Sequence, residues 1–335
     1  MANRGLPSVI ASMIKTLFAG LVLAIALVAH AHAQTRVARI GVIPNSPSAT
    51  KSAPFLDVFR RRLQELGYVE GRNIAIEIRY PGEKLGRYDR AAAELIAVKV
   101  DVIVTGNSGA TRAARLQTTT IPIVMVSVGD AVASGFVKAL ARPGGNVTGQ
   151  SFLGAELNLK AFDLLTEALP RVKRVAILYD PELVAGDPPE FRAARDAAQA
   201  KGVAIVPVRV RSPDDLKSAL AILGQAPPTA LHVLAVSIVE QPRLADLAAQ
   251  HRMAAICSFR EAVDAGALMS YGPNFFEFWR GAATYVDKIL KGAKPADLPV
   301  QQPSAFELVI NLKTAKSLGV TIPPSVLTRA NQSIQ

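Results

Sequence analysis

Two short polar strings, each at the end of an apolar run, carry the residues most suited to chemistry. Thr105-Gly106-Asn107-Ser108-Gly109 follows Val102-Ile103-Val104, and Ser127-Val128-Gly129-Asp130 follows Ile121-Pro122-Ile123-Val124-Met125-Val126. Amide, hydroxyl and carboxylate groups on loops of small residues can hold a polar solute by hydrogen bonds and charge. A third string, Asn45-Ser46-Pro47-Ser48, closes the run Arg39-Ile40-Gly41-Val42-Ile43-Pro44. In the second half, Asp180-Pro181-Glu182 follows Val175 to Tyr179, Ser237 follows Ala230 to Val236, and Tyr271-Gly272-Pro273-Asn274 follows Met269.

Bond-breaking chemistry finds no comparable set. A serine nucleophile needs a strained turn such as the centre of G-x-S-x-G and a histidine within reach. Beyond the first 33 residues only His232, in an apolar run, and His251, beside Arg252, remain, and both read as structural. Cys257 is the one cysteine. It reads as a small buried hydrophobe, since neither a base nor an orienting group is nominated for it. No histidine, cysteine and carboxylate cluster has metal-ligand spacing, and no GxGxxG follows a strand, so neither a metal nor a cofactor is expected and the chain does not read as an enzyme. Gly144-Gly145 is not followed by the Lys-Ser/Thr of a phosphate loop. Asn146-Val147-Thr148 matches a glycosylation acceptor by spacing alone.

The polar strings need a scaffold, and strand and helix patterns alternate to supply it. Phe55, Phe59, Leu63 and Leu66 form a helical stripe closed by Gly67, and Asn73 to Tyr80 alternates as a strand. Asp89 to Val98 reads as a helix, and Ser108 is placed to cap another that carries Ala110 and Ala113 inward. A further helical segment is expected after Asp130, through Val137 and Leu140, ending at Arg142-Pro143-Gly144-Gly145. From Leu157 the alternation begins again. The fold class is therefore α/β: two similar doubly wound parallel-sheet lobes, with polar loops at the carboxyl ends of the strands, where such sheets bind ligands. The free N–H groups of a helix start at Ser108 face that crevice.

Three stretches read as crossings between lobes: the Pro-Gly-Gly string, Tyr271 to Asn274, and Ala296 to Pro303. They place lobe one at 34–147 plus about 272–298, and lobe two at 148–271 plus about 299–335, joined by a hinge. The first 33 residues stand apart. Arg4 and Lys15 precede the apolar run Leu17 to Val28, and Ala31-His32-Ala33 follows, which describes a secretory signal peptide cut after Ala33. The expected location is the periplasm. The net charge is +11, to which Arg4 and Lys15 contribute, and the remaining excess is scattered without interleaved aromatics, so nucleic acid is not an expected partner.

Four segments resemble the ABC transporter substrate-binding proteins of the TrpX-like group, which have a type I periplasmic binding protein fold. They are LQELGYVEGRNIAIEIRY (63–80), KVDVIVTGNSGATRAA (99–114), the stretch from Ile121 to Gly149, and the stretch from Leu268 to Leu327. The resemblance implies an exported receptor that captures a small solute between two lobes and delivers it to an inner-membrane permease; the expected solute is an amino acid or similar small polar or aromatic molecule, and the expected state is a monomer. A ligand sensor feeding a membrane signalling protein has the same cleft. Carried over residue by residue, the resemblance implies ligand contacts at Asn107, Ser108, Ser127 and Asp130 in lobe one, joined by Asn45 and Ser46. Asp180 and Ser237 answer in lobe two, and Tyr271 sits at a crossing. DPELVAGDPP (180–189) and SIVEQ (237–241) depart from the family pattern. An amino-acid carboxylate suits the helix start at Ser108, and Asp130 or Asp180 suits an ammonium, although both also fit turn or cap roles. Tyr271 and Phe275 fit either a stacked ligand or a packed hinge, and Trp279 belongs to a core helix face.

Overall fold

A computed structural model describes residues 37–81, 87–152, 154–179, 189–210, 230–234 and 241–335, with positions 215 and 223 between them. The signal peptide expected at 1–33 lies outside the described residues, as do Asp180 and Ser237. Among the described residues no helix is long and apolar enough to cross a membrane.

The first sheet collects β1 (Ala38–Ile43), β2 (Ile74–Ile78), β3 (Val102–Thr105), β4 (Ile123–Val128) and β5 (Val147–Ser151), in the order β2-β1-β3-β4-β5 with every pair parallel. Helices α1 (Ala49–Glu65), α2 (Arg87–Ala97) and α3 (Ser108–Gln117) connect its first four strands. Parallel strands covered by helices on both faces must be apolar throughout, and β3 and β4 are buried at every position. Alternate residues serve opposite faces: Ile40, Val42, Val102, Val104, Val124 and Val126 pack under α1, while Ile43, Ile103, Ile123 and Met125 pack under α2 and α3.

The second sheet repeats the plan. Its strands are β6 (Arg174–Tyr179), β7 (Ala204–Arg209), β8 (Ala230–Val233), β9 (Ala254–Cys257), β10 (Met269–Gly272), β11 (Glu307–Asn311) and β12 (Gln332–Ile334). The order β7-β6-β8-β9-β10 matches the first sheet position for position, and β11, antiparallel to β10, adds an edge that β12 extends. Around it lie α4 (Gly154–Ala168), α5 (Pro189–Ala200), α6 (Gln241–Gln250), α7 (Arg260–Asp264) and, after β11, α9 (Leu312–Leu318) and α10 (Pro324–Leu327).

Helix α8 (Phe275–Leu290) follows β10 yet packs on the first lobe, burying Phe275, Phe278, Trp279 and Val286 in the core that holds α1. Polar ties help fix it there: Arg280 pairs with Glu65 at 2.8 Å, the Tyr68 hydroxyl donates to Asp287 at 3.1 Å, and Gln150 Nε2 donates to Phe278 O at 2.7 Å. The chain then runs beside β5, where Gln301 N donates to Gly149 O and Ser151 N donates to Gln301 O, both at 2.9 Å, before it enters the second sheet at β11.

Two expectations change. The segment after Asp130 is a set of turns: Asp130 Oδ1 accepts from Val132 N and Ala133 N, Phe136 N donates to Ala131 O, and Gly135 takes φ +69. A left-handed residue in the fifth place cannot continue a helix, whatever the spacing of Val137 and Leu140. The Pro-Gly-Gly string turns the chain back into β5, so the first sheet continues past Val147 and the chain leaves it after Ser151. Asn146, which matches a glycosylation acceptor by spacing, donates its amide nitrogen to Thr118 O at 3.1 Å and Ile121 O at 2.8 Å, tying the residue ahead of β5 to the turn before β4.

His232, in β8, is 1% exposed, and its Nδ1 has no hydrogen-bond partner. Burial holds the imidazole neutral, with its pKa lowered from 6.5 to about 3. The unfolded chain therefore takes up a proton that the folded chain refuses, so stability falls as pH drops below 6.5 and goes on falling to about pH 3. Urea unfolding is expected to show a loss of about 2 kcal/mol from this group between pH 6.5 and pH 5, absent in His232→Leu. Equal pH slopes for the two proteins would contradict the assignment.

Candidate functional site

In a 2-1-3-4-5 order the connections from the first and third strands leave toward opposite faces, which opens a crevice between their carboxyl ends. In the first sheet that point lies between β1 and β3. The two loops there are joined directly: Asn45 Nδ2 donates to Gly106 O at 2.7 Å, and Gly106 N donates to Ile43 O at 2.9 Å. Gly106 is required by this approach, because a Cβ there would lie 2.3 Å from Asn45 Oδ1 and 2.8 Å from Asn45 N. Ser46 is buried and accepts from Ser48 N, and Ser48 caps α1.

Asn107, rather than Ser108, caps α3. Its φ of −152 is extended, and its Oδ1 accepts from Ala110 N at 2.9 Å. Its Nδ2 donates to the Tyr88 hydroxyl at 2.8 Å, so both ends of the amide are committed to holding α2 against the start of α3. Thr111 N and Oγ1 both reach Asn107 O, and Thr105 Oγ1 meets Thr111 Oγ1 at 2.7 Å. The first N–H groups of a helix have no carbonyl four residues back, and with Ala110 and Thr111 provided for, Ser108 and Gly109 are the donors left for the crevice. The arrangement can hold a carboxylate by backbone N–H groups and the positive end of the helix dipole, with no cationic side chain.

Ser127 lies within β4 and is buried. Asp130 follows it on a loop that Phe152 N to Val128 O and Gly154 N to Gly129 O, both 2.9 Å, tie to the chain leaving the first sheet. The turn uses Asp130 Oδ1, so the residue has the turn role; a charge contact would fall to its other oxygen. In the second lobe the matching switch point lies between β6 and β8, which are paired neighbours ending at Tyr179 and Val233. Asp180 and Ser237 come just after these strands and lie outside the described residues. Tyr271 is half-buried and stacks on Phe306 at 5.9 Å and 25°, packing between the two crossing segments.

The feature that sequence reasoning missed is a group of phenylalanines drawn from both lobes. Phe259, just after β9, meets Phe275 at 5.0 Å and Phe152 at 6.4 Å; Phe275 meets Phe55 at 5.0 Å edge-on; Phe276 meets Phe55 at 4.9 Å. Phe259 belongs by chain to the second lobe and by packing to the core of the first. Phe152 and Phe259 each stand alone after a strand, so no periodic pattern marked them. Glu261 was also missed. It follows β9, the counterpart of β4, and its Oε2 has no hydrogen-bond partner; burial, with Asp264 nearby, holds its pKa above the ordinary carboxylate value.

A pocket of about 420 Å³ lies at the crossings, lined by Gln150, Asn274, Glu277 and Gln301 among others. None of the switch-point loops lines it, so it is a feature of the hinge. Among the described residues no group of three histidine, cysteine or acidic side chains could hold a metal. Cys257 is buried in β9 with its thiol pushed up to about 12, which leaves it protonated and a poor nucleophile.

Comparison with known proteins places this architecture. The family profile described as ABC transporter substrate binding protein matches residues 54–334. A tyrosine-binding protein of Clostridioides difficile is 26% identical over 262 residues, covering 78% of this chain and 75% of that protein. A conserved domain protein of Vibrio cholerae superposes with a TM-score of 0.78 at 27% identity, over 89% of this chain and 100% of that one. An ABC domain from Streptococcus pneumonia, solved in complex with L-Trp, gives 0.77 at 25% identity over the same shares. The leucine-binding protein LivK of Thermotoga maritima, at 18% identity and a TM-score of 0.54 over 78% of each chain, shares the fold.

Removing the Asn107 amide takes away a helix cap and a buried bond together. Asn107→Ala is expected to cost about 1–3 kcal/mol in urea unfolding, and Asn107→Asp, which keeps the acceptor for Ala110 N, to cost less. Identical losses for the two variants would show that the cap has no part in holding α3.

Proposed function

The chain belongs to the ABC transporter substrate-binding protein family, and we propose that it captures an amino acid with an aromatic or apolar side chain between its lobes and delivers it to a membrane permease. The observation that carries this reading is the 2-1-3-4-5 strand order, built twice, which gives each lobe a switch-point crevice at the carboxyl ends of its strands. The names of the tyrosine-binding relative and of the L-Trp complex support the choice of solute. The mature receptor is exported after loss of residues 1–33 and acts as a monomer in the periplasm. Its lobes part after Ser151, near Gly272 and near Gln302.

In this reading the solute carboxylate lies at the start of α3, on the N–H groups of Ser108 and Gly109, while Asn107 holds that start in place. Asn45, Ser46 and Ser127 line the same wall. The ammonium is met by Asp130 or by Asp180 from the facing lobe, with Ser237 beside it, and Tyr271 closes the cleft at the crossing. The solute's apolar body faces the aromatic side of the cleft, toward Phe55 and Phe276. Contacts from both lobes exist together only when the cleft is shut, so the solute draws the lobes together by its higher affinity for the closed form.

The test is a thermal-shift panel of the twenty amino acids, with mass spectrometry of any solute that copurifies. An amino acid at about a hundredfold its Kd is expected to add about 2.7 kcal/mol of stability, with aromatic members leading. A panel in which no amino acid shifts the melting temperature would remove the assignment. For the ammonium contact, Asp130→Asn keeps the acceptor for Val132 N and Ala133 N and removes the charge. It is expected to weaken binding about tenfold or more with the melting temperature of the empty protein unchanged, and an unaltered Kd would take Asp130 out of the site.

A further inference from the structure

The second lobe has an opposite end, where helices finish and strands begin, and a pocket of about 520 Å³ lies there. It is bounded by the chain just past α4, the start of β9, and the chain just past α9. All three lie at the amino-end edge of the sheet, away from the crevice formed by the strands' carboxyl ends. Its volume falls within the range that small-molecule sites occupy.

The pocket has an apolar floor and a cationic rim. Leu169, Val172, Leu318 and Val320 line it as part of the lobe's main core cluster or packed against that cluster. Arg171 and Arg252 line it as exposed side chains, neither one engaged in an ion pair or a side-chain hydrogen bond among the described residues. No acidic residue is among those that line it. Two unpaired guanidinium groups over a greasy hollow form a surface complementary to a molecule with an apolar body and a single anionic head.

The backbone at Arg252 adds a second observation. After α6, Arg252 N donates to Ala249 O at 3.0 Å and Met253 N to Ala248 O at 2.8 Å, the bonding of a helix end whose last residue turns left-handed. The same place is filled by Gly67, Gly202, Gly266 and Gly319 at other helix ends, all with positive φ, whereas Arg252 takes φ 51 with a full side chain, as Lys99 does at φ 55 after α2. An L residue is disfavoured there, and such a departure points to a task for the side chain. A cation beside a helix's carboxyl end does meet a favourable dipole, but that attraction fades beyond the last turn and gives no use to the hollow between the two arginines.

We propose that this pocket binds a monocarboxylate with an apolar body, the body on the floor of Leu169, Val172 and Val320 and the carboxylate between Arg171 and Arg252. The site is separate from the solute cleft and is occupied independently of it.

The probe is decanoate, titrated by calorimetry into the full chain. The wild-type protein is expected to bind it, with decanol about tenfold weaker or more, since a carboxylate between two guanidinium groups gains charge-assisted hydrogen bonds that an alcohol lacks. Arg252→Gly suits the left-handed backbone, so it is expected to fold with an equal or higher melting temperature and to lose about tenfold or more in decanoate affinity. Arg171→Gln is expected to do the same. No heat with decanoate up to its solubility limit, equal affinity for decanol, or an unchanged Kd in both variants would overturn the proposal. Displacement of decanoate by an amino acid that fills the cleft would overturn it as well.

Discussion

The fold depends on a constraint of connectivity. When a parallel sheet is ordered 2-1-3-4-5, the first and third strands send their following helices to opposite faces, and neither helix covers the gap between the carboxyl ends of those strands. This chain builds that gap twice, between β1 and β3 and between β6 and β8. The proposed solute site is the filling of that gap. The hydrogen bond from Asn45 to Gly106 sets the width of the first gap, and Asn107 turns the start of α3 into its floor.

The proposed closure also requires that two such lobes move as units. Each has its own paired core layers, with alternate strand residues feeding the two faces, so each can stay rigid while the connection between them bends. The chain returns to the first lobe for α8 and passes beside β5 before β11, which gives three crossings instead of one. Phe259 bridges the lobes by packing on Phe275 and Phe152. Aromatic contacts of this kind resist separation without demanding the directional fit of hydrogen bonds, which suits a surface that must slide.

Much of the fold was legible in the sequence because buried parallel strands leave an unmistakable signature. Val102 to Thr105 and Ile123 to Val128 are short, β-branched and apolar at every position, as strands covered on both faces must be. Finer features needed geometry. Asn107 and Ser108 are both good caps, and only the extended φ at Asn107 decides between them. Helical spacing after Asp130 was real, but one left-handed glycine outweighed it. Lone phenylalanines after β5 and β9 carry no pattern, since their meaning lies in contacts made across more than a hundred residues. Asn45 read as a ligand contact and also proves to be a bond between loops.

The central claim is that the lobes draw together around a solute. The most direct measurement is an electron-electron distance between spin labels at Leu116→Cys on α3 and Gln199→Cys on α5, two exposed sites, in a chain whose buried Cys257 is left intact. With a saturating amino acid shown by calorimetry to bind, the distance distribution is expected to shift and narrow relative to the empty protein. An unchanged distribution under those conditions would contradict the account.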